Sequence, residues 1–114
     1  MPDIMAELYQ TIESRKNQPV ENSYTNYLFD KGLDKICKKV GEECTELIIA
    51  AKNADTAKNN DIAELVGEAA DVLYHLSVLL CEQGVAWDSV RAELEERTQK
   101  IGNKKVFKDV DRNT

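Results

Sequence analysis

From Leu33 to Asn53 the apolar residues Leu33, Ile36, Val40, Cys44, Leu47, Ile48 and Ala51 recur in the three-and-four rhythm of a helix. Such a stripe runs along one side of the helix, and a soluble chain carrying it must bring a second apolar surface to cover it. A second long segment, from about Asp61 to Gln83, supplies one. It is apolar on several faces between Val72 and Cys81, which predicts the most buried element, and it stops at Gly84, a residue suited to closing a helix. Asn60 or Asp61 is placed to cap its start.

Shorter helical segments flank this pair. The first is expected from about Pro2 to Lys16, with Ile4, Leu8 and Ile12 four apart and Pro2 acceptable in a first turn. Asn17 to Asn26, containing Pro19 and Asn22, reads as a loop, and Ala54 to Asn60 as a polar turn. Trp87 and Asp88 open a last helix that runs to about Lys100, with Asp88 a possible cap and Gly102 a stop. Helices without strand signals predict an all-α bundle of about four helices in one domain, residues 1–114. The outer helices look too short and too polar to cover both stripes. Tyr74 and Val78 lie off the main stripe of the third segment, so a helical homodimer is expected to complete the core.

The formal net charge is −6, from 21 acidic against 15 basic residues, the wrong sign for a protein that neutralises nucleic-acid phosphates directly. An acidic chain still takes a polyphosphate when its carboxylates first bind divalent cations. The three cysteines, Cys37, Cys44 and Cys81, have no CxxC spacing and read as buried, reduced thiols. The first residues, MPDIMAELYQ, show neither a basic leader nor an apolar run, and no apolar stretch approaches the roughly 20 residues that span a bilayer. A soluble, cytoplasmic protein is the expectation.

The chemistry-bearing residues sit on the two long segments: Glu42, Glu43 and Glu46 on one, Glu64, Glu68 and Asp71 on the other. At about 100° per residue, Glu43 and Glu46 project from one side, as do Glu68 and Asp71. Antiparallel packing would bring the two pairs together at the margin of the core. Isolated acidic pairs usually belong to a solvated face, where Lys four residues on commonly relieves them. Here the positions four after Glu43, Glu46, Glu68 and Asp71 are Leu47, Ala50, Val72 and His75. Carboxylates crowded at a partly dry margin call for a cation, and an oxygen-only ligand set favours Mg²⁺, with Mn²⁺ able to substitute. His75 is either a partner of a metal-binding carboxylate or a satisfied histidine at the core edge. Lys39, four before Glu43, either neutralises Glu43 or reaches a substrate phosphate.

The run Glu42-Glu43-Cys44-Thr45-Glu46, followed after 21 residues by Glu68-Ala69-Ala70-Asp71, resembles the metal signature of the all-α MazG-type nucleotide pyrophosphohydrolases. More narrowly, the chain resembles the phosphoribosyl-ATP pyrophosphatase family. The residues that carry this are Ser23-Tyr24-Thr25 with Leu28, Phe29 and Gly32, then Lys38 to Asn53, Gly67 to Leu80, and Gly84-Val85. The resemblance implies Mg²⁺-dependent hydrolysis of phosphoribosyl-ATP to phosphoribosyl-AMP and pyrophosphate, the second step of histidine biosynthesis. It implies Glu43, Glu46, Glu68 and Asp71 as metal ligands, and Glu42 as a second-metal ligand or water-orienting base. Glu42 or Glu46 is the candidate proton acceptor. Lys39, Lys52, Lys104 and Lys105 are the cations available for substrate phosphates, with Lys52 off the Glu43/Glu46 face. Two readings compete: a house-cleaning enzyme cleaving dUTP or dCTP with the same carboxylates, and a non-catalytic helical interaction protein. A small-molecule nucleotide is the expected partner, with no nucleic acid and no membrane.

Overall fold

The structure is a computed structural model that describes residues 3–55 and 61–102. Among these, five α-helices and no strand are present: α1 (Ile4–Asn17), α2 (Tyr24–Lys31), α3 (Leu33–Asn53), α4 (Ile62–Glu82) and α5 (Trp87–Gly102). No helix among them is long and apolar enough to cross a membrane.

The long helices α3 and α4 form the principal pair. Glu46, later on α3, meets Glu68, earlier on α4, while Glu43 lies beside Asp71, so the two run antiparallel. A Schellman motif closes α4. Gly84 takes a left-handed φ of +72°, its N–H donates to the Cys81 carbonyl, and the Val85 N–H donates to that of Leu80.

The fifth helix is a correction to the expected four. The segment read as a loop over Asn17 to Asn26 contains the start of α2, and its polar residues build that start. The Ser23 hydroxyl caps the helix by accepting from the Asn26 N–H at 3.2 Å. The Asn26 carboxamide accepts from the Val20 N–H at 2.8 Å and donates to the Arg15 carbonyl at 2.6 Å, tying α1 to α2. Gly32 alone joins α2 to α3. Its φ of +91° with ψ of −174° is a conformation essentially restricted to glycine, so the sharp change of direction depends on the missing Cβ.

The core sits where α1 and α2 cover one end of the α3/α4 pair. Ile12, Leu28, Ile36, Val78 and Cys81 are buried there, with Leu8, Tyr9, Phe29, Tyr74 and Leu79 packed around them. This overturns part of the reasoning for a dimer: Val78 has no exposed surface and Tyr74 is half-buried, because α1 and α2 cover them within the chain. The uncovered apolar surface lies at the other end of the pair, where Ile48, Ile49 and Val66 are each more than half exposed. Ile48 therefore leaves the buried stripe to which its spacing assigns it, and of the three thiols expected to be buried only Cys81 is, Cys44 being half-buried and Cys37 exposed.

Other caps differ from expectation. Asp3 caps α1 by accepting from the Met5 and Ala6 N–H groups, and Ile4, expected on the buried stripe, is exposed. Pro2 and Asn60 lie outside the described residues. Asp61 precedes α4 in a left-handed conformation without a side-chain cap bond. Asp88 lies inside the first turn of α5, where its carboxylate accepts from Arg91, which also pairs with Asp3.

Candidate metal centre

Antiparallel packing of α3 on α4 brings carboxylates from both helices to one point. Glu43, Glu68 and Asp71 each place an oxygen within 4.8 Å of the others. Glu43 is 7% exposed, unusually buried for an acid, and its Oε2 and the Glu68 Oε2 are buried without a hydrogen-bond partner. Buried carboxylate oxygens left unpaired are costly, and several converging on one point fit the donor set of a hard divalent cation.

Electrostatics agree with the crowding. Burial pushes the Glu68 carboxyl above its ordinary value, and the charges of Glu46, Asp71 and Glu43 push it further. A side-chain hydrogen bond between Glu68 and Glu46 acts in the same direction. Glu46 is exposed at the edge of the cluster, touching Glu68 without joining the three converging oxygens.

Glu42 is not among the three converging acids. It accepts from Lys39 Nζ at 3.2 Å and lies 4.0 Å from Lys38 Nζ. The hydrogen bond from Lys39 holds its carboxyl below the ordinary value, and the same bond raises Lys39. Lys39 also lies 3.6 Å from Glu43 Oε1, so this ammonium neutralises Glu43 as it bridges the two acids. Lys52 is exposed in the last turn of α3, nine residues from Glu43 and roughly 13 Å away along the helix axis. Lys104 and Lys105 lie outside the described residues.

His75 is buried behind the cluster. Its Nδ1 donates to the Asp71 backbone carbonyl at 2.8 Å, and its Nε2 is hydrogen-bonded to the Tyr24 hydroxyl at 3.0 Å. It therefore bonds the main chain of Asp71 and not its carboxylate. Alongside, the Thr25 hydroxyl hydrogen-bonds the Tyr74 hydroxyl. Spacing along the sequence assigns no partner to Tyr24 or Tyr74. The available signal was Ser23 three before Asn26, a cap spacing, followed by Tyr24, Tyr27, Leu28 and Lys31 at helical intervals.

A separate cleft of about 500 Å³ lies between α1, the end of α4 and the start of α5, lined by residues including Tyr9, Lys16, Cys81 and Trp87. None of the candidate site residues lines it.

Residues 5–98 match the family model described as Phosphoribosyl-ATP pyrophosphohydrolase. The chain belongs to this family. A phosphoribosyl-ATP pyrophosphatase of Listeria welshimeri is 56% identical over 108 residues, covering 95% of this chain and 98% of the relative. One from Clostridium novyi is 52% identical over 103 residues, covering 90% and 88%. The histidine biosynthesis bifunctional protein HisIE of Lactococcus lactis is 52% identical over 105 residues, which cover 92% of this chain but 47% of that protein. As a phosphoribosyl-ATP pyrophosphohydrolase family member the chain is a hydrolase of histidine biosynthesis, and its acidic cluster is one that could bind a metal.

Proposed function

We propose that this chain hydrolyses phosphoribosyl-ATP to phosphoribosyl-AMP and pyrophosphate at the α3/α4 carboxylate cluster, with Mg²⁺ as the bound ion. The observation that carries this reading is the convergence of Glu43, Glu68 and Asp71, with two buried carboxylate oxygens unpaired, in a chain of this family. Glu43, Glu68 and Asp71 would hold the ion, with Glu46 as the fourth ligand or as the group beside it. When bound, the ion supplies charge neutralisation for the phosphates and acidifies a coordinated water.

The chain's own residues do the rest. Lys39, 3.6 Å from Glu43 Oε1, would hold that carboxylate in place. Glu46, exposed at the cluster's edge, is better placed than Glu42 to accept a proton from an attacking water, because Glu42 is held acidic by Lys39. The Asp71 backbone is fixed by His75, which Tyr24 holds in turn. Lys52 and the Lys104-Lys105 pair remain candidates for substrate phosphates.

The same reading includes a cytoplasmic homodimer. Ile48 and Ile49 on α3, with Val66 and Leu73 on α4, leave an apolar surface that a second copy would cover. The test of function is complementation: the gene should restore growth without histidine to a strain lacking this step. Failure to complement, together with brisk cleavage of dUTP or dCTP by the purified protein, would favour the house-cleaning reading.

A further inference from the structure

Tyr24, Tyr27 and Lys31 occupy positions i, i+3 and i+7 of α2 and so share one side of that helix. The two tyrosines are 45% and 42% exposed as residues, on a helix whose other side is buried through Leu28. They are near-parallel, with centroids 6.1 Å apart and planes 21° apart, and make one stepped aromatic surface. The Tyr24 hydroxyl is tethered to His75, so its ring cannot turn away from the position it presents.

The surface has a direction. At one end, Tyr24 is one hydrogen-bonded residue from the cluster, through His75 to the Asp71 carbonyl, and it feels the charges of Lys39 and Glu43. At the other end, the Lys31 ammonium stands 5.7 Å from the Tyr27 ring centre. Carboxylates with a cation, then flat aromatic area, then an ammonium is an order that matches a particular ligand. Phosphoribosyl-ATP carries two phosphorylated arms on one adenine: the triphosphate that is cut and a phosphoribosyl group that is not. A triphosphate engaged at the cluster would leave its base to meet the α2 rings and its second phosphate to meet Lys31.

We infer that the exposed Tyr24–Tyr27–Lys31 side of α2 is the subsite for adenine and for the distal 5-phosphate. The inference rests on the proposed function and deepens it, assigning discrimination against simple nucleotides to Lys31. Bases stack on aromatic side chains whatever their sequence, so the tyrosines bind the nucleotide without selecting it. Selection comes from the phosphate that only the phosphoribosyl compound carries.

The test is calorimetric binding of phosphoribosyl-AMP and of AMP to the full-length protein with Mg²⁺, with wild-type turnover of phosphoribosyl-ATP measured separately. Tyr27→Leu should weaken both nucleotides about tenfold, the scale of one lost stacking partner, and Tyr27→Phe should stay within about twofold of wild type. Lys31→Gln should weaken phosphoribosyl-AMP by up to about fivefold, the upper end of an exposed ion pair, and leave AMP unchanged. Thermal melting checks that each variant is folded, and Lys31→Gln, on the surface, carries the test if Tyr27→Leu is not. Wild-type affinity for both nucleotides in both variants overturns the subsite, as does a wild type that binds neither. Equal weakening of AMP and phosphoribosyl-AMP by Lys31→Gln overturns the distal-phosphate assignment. Wild-type protein that binds in the expected pattern yet releases no pyrophosphate removes the proposed reaction and leaves the subsite standing.

Discussion

Replacing Leu28 by Ala tests whether α2 is docked as described. Leu28 has no exposed surface and lies against Ile12, Ile36, Val78 and Cys81. The change removes three carbons, worth about 2.4 kcal/mol of transfer free energy at about 0.8 kcal/mol per group, plus a cavity term. A short helix on one side of the core can settle inward and relieve part of that cavity. The expected loss is therefore about 3 kcal/mol, the lower half of the usual 2–5 kcal/mol range. For a domain of 114 residues the unfolding entropy gives about 4 °C per kcal/mol, hence a fall in Tm of about 13 °C. Urea unfolding at fixed protein concentration is the assay, with Val20→Ala, an exposed position, as a control expected within about 0.5 kcal/mol. Because α2 also carries Tyr24, the folded variant should show a raised KM and a smaller change in kcat. A loss below about 1 kcal/mol with an unchanged urea slope would refute the docking of α2.

Three further outcomes follow from the cluster and the open apolar surface. Glu43→Gln, Glu68→Gln and Asp71→Asn should each lower turnover by on the order of 10²-fold, while melting in EDTA holds or rises for Glu68→Gln and Asp71→Asn, because each removes repulsion; lower melting of these two with normal activity would point to a structural cluster. The raised Glu68 carboxyl gives a pH dependence of definite sign. Between the unfolded value of about 4.3 and its higher folded value, the folded state holds the extra proton, so this contribution to metal-free stability is full below the window and lost as pH rises through it. Melting of wild type relative to Glu68→Gln in EDTA should therefore decline as pH rises above the unfolded value of about 4.3, and a flat difference would contradict it. Finally, sedimentation should show a dimer that Ile49→Glu disperses; a wild-type species at 12.9 kDa at micromolar concentration would exclude it.

How much of this was legible in the sequence depended on segment length and on what periodicity encodes. Helices α3 and α4, each 21 residues long, are readable because their period repeats over nearly six turns. Helix α2 has eight residues, scarcely two turns, and its opening Ser23 and Asn26 are also loop formers. Only the tertiary bonds of Asn26 to Val20 and Arg15 distinguish cap from loop. The acidic pairs were legible as faces, since spacing fixes direction on one helix. Which oxygens meet is decided by register between helices, which spacing within one helix does not contain. Glu43 thus converges with Glu68 and Asp71, whereas Glu46 sits one step outward. The same limit misplaced the open apolar surface: Val78 is covered by α1 and α2, while Ile48 and Ile49 are not.

The central claim is tested most directly by pyrophosphate release from phosphoribosyl-ATP by the purified protein, with Mg²⁺ and with EDTA, beside ATP, dUTP and dCTP. Mg²⁺-dependent release from phosphoribosyl-ATP should stand well above that from the simple triphosphates, be lost in EDTA and fall on the order of 10²-fold in Glu43→Gln. Release that persists in EDTA, or that Glu43→Gln leaves unchanged, would contradict it.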